Sequence, residues 1–508
     1  MLSLHPPEAD RRKGVAMSEK RYLIAATEFL GTLIEKGTDR YGKKHTPLLC
    51  LALDPETYSP PKPPQKIDRE YAINFEYLNR DFGYYWQSHM HGSDLIYDQG
   101  TIRALYAASE VTGDAKYGKA ADAYLDFFLE NMVSEQTGIF GWGEHIFWNV
   151  YLDYIIGGCF GVARWHTFFY GHELEQWTTI YDVLWDKSPE KTLTEIQAIY
   201  DYKIHDYDTF ICNRHSDYYS GRCADLLTFI KHTGLFTHAF AFLNSKTGDP
   251  KYLGWAKKMS EVFWNIRDPK TNLIRGCVER QEPQDHVVTG SGLALLALFL
   301  MRAYQWSPDD SFLDKALAYL KAYDKYCRAD DEGNFRASVR TDGVDTKPGE
   351  FDQYSEGPIR IAKAAALAYS LTRDSAMLEL ADMVVRNLTP EMTFDTLVER
   401  SLISDEVEAR AGGLSAAIDL YEITAEPKYL AKARALADDA ISRFLYRGLF
   451  VSTMKLYPEG DTSARTRVYD ARTGAGWLAL NMIRLQRDLD ATDAGTFRKF
   501  DALEKIYD

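Results

Sequence analysis

The chain has 508 residues, of which 45% are hydrophobic and 13% aromatic, and its formal net charge is −15. The apolar content is sufficient for a large core, whereas the negative charge argues against a general affinity for nucleic acid, which requires basic surface. A polyanionic ligand would therefore need a local cationic site or a bound metal, because long-range attraction is unfavourable. The six cysteines are scattered without metal-binding spacing, and we interpret them as reduced, mostly buried thiols.

The N-terminal segment lacks the uninterrupted apolar stretch of a signal peptide, and no run reaches transmembrane length. Met17 is followed by Ser-Glu-Lys and is a candidate start, so we expect residues 1–17 to be a disordered lead. Residues 18–508 are expected to form one domain, with the proline-rich stretch 54–67 as a surface strap. These features predict a cytoplasmic protein without a membrane partner, and they leave the oligomeric state open.

Helical periodicity dominates the rest of the chain. Apolar residues recur at i, i+3, i+4 and i+7 in one helix of each repeating pair, and a second amphipathic helix follows after a short turn. Four such first helices are predicted at 100–111, 291–305, 360–371 and 412–423.

The turns between the paired helices resemble one another. Three of them read Thr-Gly-Asp-Ala-Lys-Tyr, Thr-Gly-Asp-Pro-Lys-Tyr and Thr-Ala-Glu-Pro-Lys-Tyr, and weaker forms occur at Ser307 and Thr372. A small residue ends one helix, an acidic residue caps the next, and proline is tolerated in the first turn. Repeated hairpins of this kind, interrupted by strand-like or turn segments such as 138–143 and 271–276, predict an all-α fold. We expect an (α/α)-barrel or toroid with short β-like loop segments.

Histidines are unevenly distributed, because all twelve lie before residue 290. The simplest interpretation is a chemically specialised N-terminal half attached to a structural remainder. Four groups stand out there: Gly141-Trp-Gly-Glu-His145, His172-Glu-Leu-Glu175, Asn213-Arg-His215 and Ser88-His-Met-His-Gly-Ser-Asp94. Each is a weak signal alone, since a histidine near a glutamate is more often a hydrogen-bonded pair than a metal site.

Taken in order, the motifs from Trp142 to Tyr219 resemble those of the family-2 pectate lyases. The matching segments are Gly143-Glu-His145, His172-Glu-Leu-Glu-Gln-Trp177, Ser188-Pro-Glu190, His205 and Asn213-Arg-His215. The resemblance implies an (α/α)7 barrel that cleaves a galacturonate-type uronic-acid oligo- or polysaccharide by β-elimination. It also implies a divalent metal held by His145, Glu173 and His215, with Arg214 as the Brønsted base.

The chemistry is consistent with those residue types. Removing the C5 proton next to a uronate carboxylate requires that the carboxylate be neutralised and that a base lie within hydrogen-bond reach. Two imidazoles and a carboxylate suit manganese, cobalt or nickel, whereas calcium prefers oxygen ligands only. Arginine is a poor base in water, so Arg214 has the alternative role of binding the substrate carboxylate.

Further candidates for substrate binding are His205, His91, Trp142, Tyr218 and Arg275. Asp94 and Asp98 could contribute to a sugar subsite or simply cap a helix. In a rival interpretation they are the acidic residues of an unsaturated glycuronyl hydrolase or another (α/α)-barrel glycoside hydrolase. The non-enzymatic alternative is a helical-repeat binding scaffold, which predicts no clustering of His, Glu and Arg.

Overall fold

Paired helices connected by tight turns account for most of the structure. The computed structural model describes residues 20–60, 89–143, 146–157, 180–212, 227–275, 277–279, 286–288, 291–331, 335–336, 338–343, 357–389, 403–404, 407–454 and 466–496. Within these ranges the helices are α1 (Arg21–Thr32), α2 (Leu95–Thr112), α3 (Ala115–Asn131), α4 (Tyr181–Lys187), α5 (Pro189–Lys203), α6 (Ile230–Thr247), α7 (Pro250–Ile266), α8 (Ser291–Trp306), α9 (Asp310–Cys327), α10 (Gly357–Thr372), α11 (Ser375–Asn387), α12 (Val407–Thr424), α13 (Pro427–Phe444) and α14 (Ala475–Asp493).

The predicted turn chemistry is confirmed at the helix junctions. Gly113 and Gly248 adopt φ of +72° as left-handed C-caps, which only glycine accepts without strain. The following Asp114 and Asp249 each accept a hydrogen bond from a backbone N–H in the first turn of the next helix. Glu426 differs, because its side chain makes no such cap, although its backbone N–H donates to Thr424 Oγ1 as those of Asp114 and Asp249 do to the equivalent threonines.

The hairpins form a ring with an inner and an outer layer. The inner helices are α2, α4, α6, α8, α10, α12 and α14, and each of them from α6 to α14 packs against its inner neighbour. Helix α4 bridges α2 and α6, since Asp182 pairs with Arg103 at 2.6 Å and Tyr181 stacks on Phe242. The outer layer contains α3, α5, α7, α9, α11 and α13, and α1 packs on α14 as the seventh outer helix. The described residues therefore form the predicted (α/α)7 toroid.

The ring closes where α14 meets α2, and two glycines make this close approach possible. A Cβ on Gly476 would lie 2.3 Å from the backbone nitrogen of Thr101, and a Cβ on Gly100 would lie 2.6 Å from that of Trp477. Backbone atoms cannot move aside as a flexible side chain can, so these positions require glycine. The contact also fixes Trp477 at the inner surface of the ring.

The short strands lie at one end of the toroid, because every described strand belongs to a connection from an outer helix to the next inner helix. One antiparallel sheet joins β1 (Ala52–Leu53), β13 (Thr466–Asp470), β12 (Ser452–Met454) and β9 (Ile403–Ser404), and another joins β2 (Gly92–Ser93), β3 (Ile146–Asn149) and β4 (Tyr154–Gly157). Two-stranded pairs are β5 (Leu227–Phe229) with β6 (Cys277–Glu279), β7 (His286–Val288) with β8 (Ser338–Arg340), and β10 (Leu445–Tyr446) with β11 (Leu449–Phe450).

The opposite end carries the tight turns that follow the inner helices.

A continuous apolar core fills the space between the two helical layers. Among the described residues, no helix is long and apolar enough to cross a membrane.

Candidate functional site

A cavity of about 130 Å³ lies on the inner side of the ring, toward the end where the inner helices begin. Tyr97 contributes from the first turn of α2, Ile359 and Arg360 from the start of α10, and Glu408 from the start of α12. Converging helix N-termini add positive potential to such a space. The cavity is therefore placed where an anionic group would be favoured.

The charged side chains that line the cavity are mostly basic. Four basic residues, Arg302, Arg360, Lys363 and Arg472, line it together with one acidic residue, Glu408, although most of the accessible wall is apolar. In a chain with a net charge of −15, this local excess of positive charge is unusual. Trp477, Tyr97 and Phe299 add aromatic surface to the same wall.

Hydrogen bonds to acidic residues fix the basic groups around the cavity. The Nε of Arg472 donates to Asp470 at 2.8 Å, and Arg360 lies 3.9 Å from Glu408. Behind the wall, Arg484 donates to Asp419 at 2.6 Å. The same guanidinium donates at 2.9 Å to Asn481, which itself lines the cavity. Hydrogen bonds to acidic partners therefore hold the guanidinium groups of Arg472 and Arg484 in place.

Lys363 is the cavity residue whose protonation is most perturbed. The pKa of its ammonium is lowered to about 7, chiefly by burial and in addition by the guanidinium groups of Arg302, Arg484 and Arg360, while Asp419 opposes the shift. A negatively charged group bound in the cavity would favour the protonated amine. Lys363 is therefore a cation that an anionic ligand would stabilise.

A second ordered feature is the loop that precedes the predicted ligand His145. Glu195 on α5 is fully buried, accepts from the backbone N–H of Phe140 at 2.7 Å and accepts from the indole N–H of Trp142 at 3.2 Å. Burial raises the pKa of the Glu195 carboxyl to about 7, although both donors oppose the shift. One glutamate thus fixes the backbone and the aromatic side chain of this loop.

The segment that leads into Asn213 is fixed in a similar manner. The backbone N–H of Cys212 donates to Thr228 Oγ1 at 2.8 Å, and Thr228 belongs to β5, which runs directly into α6. Ile146 follows His145 and lies in β3. Strand β3 pairs with β2, which lies directly before α2. The described flanks of both motifs therefore lie at the same end of the toroid as the cavity.

The predicted catalytic and metal-binding residues lie outside the described residues. This applies to the base and to the three ligands, as well as to one substrate-binding candidate: Arg214, His145, Glu173, His215 and Tyr218. Within the described ranges, no group of three or more His, Cys, Asp or Glu side chains has the arrangement of a metal site.

The other four substrate-binding candidates occupy different positions. Trp142 is fully buried among Phe128, Phe140 and Tyr181, and it is not among the residues that line the cavity. His91 is also buried, 3% exposed, and its ring meets Tyr151 edge-on. His205 and Arg275 are half-buried in the connections before β5 and β6, at the cavity end.

The acidic pair of the hydrolase interpretation is buried as well. Asp94 caps α2 by accepting from the Ile96 N–H at 3.0 Å, as the helix-cap alternative predicted. Asp98 accepts from the hydroxyl of Tyr124 at 3.0 Å, and burial raises its pKa to about 8. Both side chains are fully buried, and neither is among the residues that line the cavity.

The basic cavity residues were not identified from the sequence. Arg302, Arg360 and Lys363 lie inside helices that were predicted as structural from their apolar periodicity. The sequence did contain a signal for them. A helix that is apolar on most faces is buried, so a charged residue within it must lie in the interior of the ring. Most of the cavity wall comes from residues 295–481, in the part of the chain for which the sequence predicted a structural role.

The fold and cavity define an (α/α)7 toroid with a basic inner site. Residues 81–292 match the family described as periplasmic pectate lyase. A pectate disaccharide-lyase from Dickeya dadantii (strain 3937) is 26% identical over 203 residues, which are 36% of this chain and 36% of that protein. The matched segment thus spans about a third of the relative's length. These matches confirm the predicted resemblance: the segment 81–292 is similar to the pectate lyases of this family.

Solved structures with a comparable overall arrangement share little sequence with this chain. An α-mannanase of glycoside hydrolase family 76 from Bacteroides thetaiotaomicron is 12% identical with a TM-score of 0.47, covering 94% of this chain and 99% of that one. A cellobiose 2-epimerase from Bacillus thermoamylovorans B4167 is 11% identical with a TM-score of 0.46, covering 93% and 100% of the two chains.

Proposed function

We propose that the protein is a metal-dependent polysaccharide lyase that cleaves a galacturonate-type uronic-acid linkage by β-elimination. The observation that carries the proposal is the family match over residues 81–292, a range that includes the complete set of predicted ligands and the predicted base. The basic residues that line the cavity are an independent argument for an anionic substrate. The cavity also lies at the same end of the toroid as the described flanks of those motifs.

In this proposal Arg214 removes the proton from C5 of the uronate. Guanidinium is protonated in water, so the side chain must be desolvated and lie near positive charge for a neutral form to become accessible. Its neighbour His215 is a proposed metal ligand, which would keep the base close to the substrate carboxylate. His205 and Arg275 are proposed to contact the sugar from the adjoining connections.

The donor set His145, Glu173 and His215 fits a divalent transition ion, with manganese favoured and cobalt or nickel as alternatives. Such an ion would neutralise the uronate carboxylate when bound. The loop before His145 is rigidly held by Glu195, and rigid neighbouring structure is what a ligand set of defined geometry requires.

The test is an elimination assay on polygalacturonate, followed at the ultraviolet absorbance of the new C4–C5 double bond. We expect activity in the metal-loaded protein, loss with EDTA, and recovery with Mn²⁺. Arg214→Ala should abolish turnover while retaining bound metal, whereas His215→Ala should lose the metal.

A matched control is Arg373→Ala, because Arg373 lies in the turn between α10 and α11 at the opposite end of the toroid. Full turnover of Arg214→Ala, or unchanged metal content in His215→Ala, would contradict the proposal. Consumption of a pre-existing double bond without metal would instead indicate the glycuronyl hydrolase activity.

A further inference from the structure

The inner cavity is lined by two kinds of residue, basic and aromatic. The residues that line it include the basic Arg302, Arg360 and Lys363 as well as Trp477. An inorganic anion would use only the first kind, and an apolar ligand would use only the second. A sugar ring that carries a carboxylate would use both, since aromatic faces pack against the C–H face of a sugar.

The size of the cavity limits the ligand further. Its volume of about 130 Å³ accommodates roughly ten water-sized groups, taking about one water per 10–15 Å³. That capacity is comparable with the non-hydrogen atoms of one hexuronate residue. An oligosaccharide would have to extend beyond the cavity toward the connections at the same end.

The charges are arranged for one carboxylate rather than for a neutral sugar. Arg302 and Arg472 are 3% and 8% exposed, so desolvated cations form part of the wall. Arg472 is already held by Asp470 and Arg360 lies near Glu408, which keeps these two groups in place. Lys363 lies among several guanidinium groups, and its lowered pKa reflects burial and that positive surrounding.

From this combination we propose that the cavity is a subsite for one uronate residue of the substrate, with the carboxylate at Lys363, Arg302 and Arg360 and the ring against Trp477. The inference rests on the proposed function for the identity of the sugar. It assigns a binding role to residues of α8, α10 and α14 that lie C-terminal to the segment matched by the pectate lyase family.

The test is calorimetric binding of D-galacturonate and of neutral D-galactose to the intact protein in EDTA, where no turnover occurs. We expect galacturonate to bind at least tenfold more tightly than galactose, and Lys363→Met to weaken galacturonate binding tenfold or more. Lys363→Arg should recover most of the affinity. Lys321→Met is the matched control, because Lys321 lies on outer helix α9 in an exposed pair with Asp374.

Arg302→Gln gives a second arm if Lys363→Met alters folding, and circular dichroism of every variant checks the helical content. Equal affinity for the two sugars, acetate binding as tightly as galacturonate, or unchanged binding in both folded variants would each overturn the subsite.

The outcome is separable from that of the proposed function. Selective galacturonate binding in a protein that produces no unsaturated product would leave the subsite standing and refute the lyase. Normal elimination with an unchanged KM in Lys363→Met would leave the lyase standing and refute the subsite.

Discussion

Glu195 offers a direct test of how the loop before His145 is held. In Glu195→Ala the backbone N–H of Phe140 and the indole N–H of Trp142 both lose their buried acceptor. Each unsatisfied buried donor costs about 1–3 kcal/mol, so we expect the free energy of unfolding at pH 5 to fall by roughly 2–5 kcal/mol. Glu195→Gln keeps one amide oxygen as acceptor and should lose less than the alanine variant.

The pH dependence gives the sharper test, because burial raises the pKa of Glu195 to about 7 from 4.5. Between these values the folded protein retains a proton that the unfolded chain has released. The contribution of Glu195 to wild-type stability should therefore be greatest below pH 4.5 and fall as pH rises toward 7, by about 3 kcal/mol at roughly 1.4 kcal/mol per pH unit. The glutamine variant lacks this loss, so it should be less stable than wild type at pH 5 but not at pH 8.

The assay is urea unfolding followed by near-ultraviolet circular dichroism, which reports on the packing of Trp142. Glu190→Gln, at an exposed position in the first turn of the same helix, should change stability by no more than about 0.5 kcal/mol. Parallel pH profiles of wild type and Glu195→Gln, or an alanine variant as stable as wild type, would refute the reasoning.

Three further predictions concern buried charges. Burial raises the folded pKa of Asp98 to about 8, so wild type should lose stability through this group as pH rises from about 4 to 8. Asp98→Asn should lack this loss, which urea midpoints across that pH range measure. His238→Gln should resist acid better than wild type from pH 6.5 down toward 3. Burial lowers the folded pKa of His238 to about 3, so only the unfolded chain takes up a proton there, and an unchanged acid midpoint would contradict this. Arg484→Met should cost roughly 3–5 kcal/mol by leaving Asp419 buried without its 2.6 Å partner. Arg21→Met removes a half-exposed pair and should cost less than about 1 kcal/mol, so equal losses in chemical unfolding would refute the distinction.

Local chemistry determined the helices and the turns that join them. The capping residues Asp114 and Asp249 and the glycines before them act within a few residues, so their effect is visible in the sequence. The order of the motifs from Trp142 to Tyr219 likewise indicated the pectate lyase resemblance, because spacing along a chain is a sequence property.

Closure of the ring and the composition of the cavity were decided only by tertiary structure. Arg302, Lys363 and Arg472 are separated by long stretches of sequence, and they meet because the inner helices all begin at one end of the toroid. Trp142 lies in the core, and the acceptor of its indole N–H is Glu195, 53 residues away in the sequence. Contacts of this kind depend on how helices pack in three dimensions, and periodicity along one helix does not contain that information.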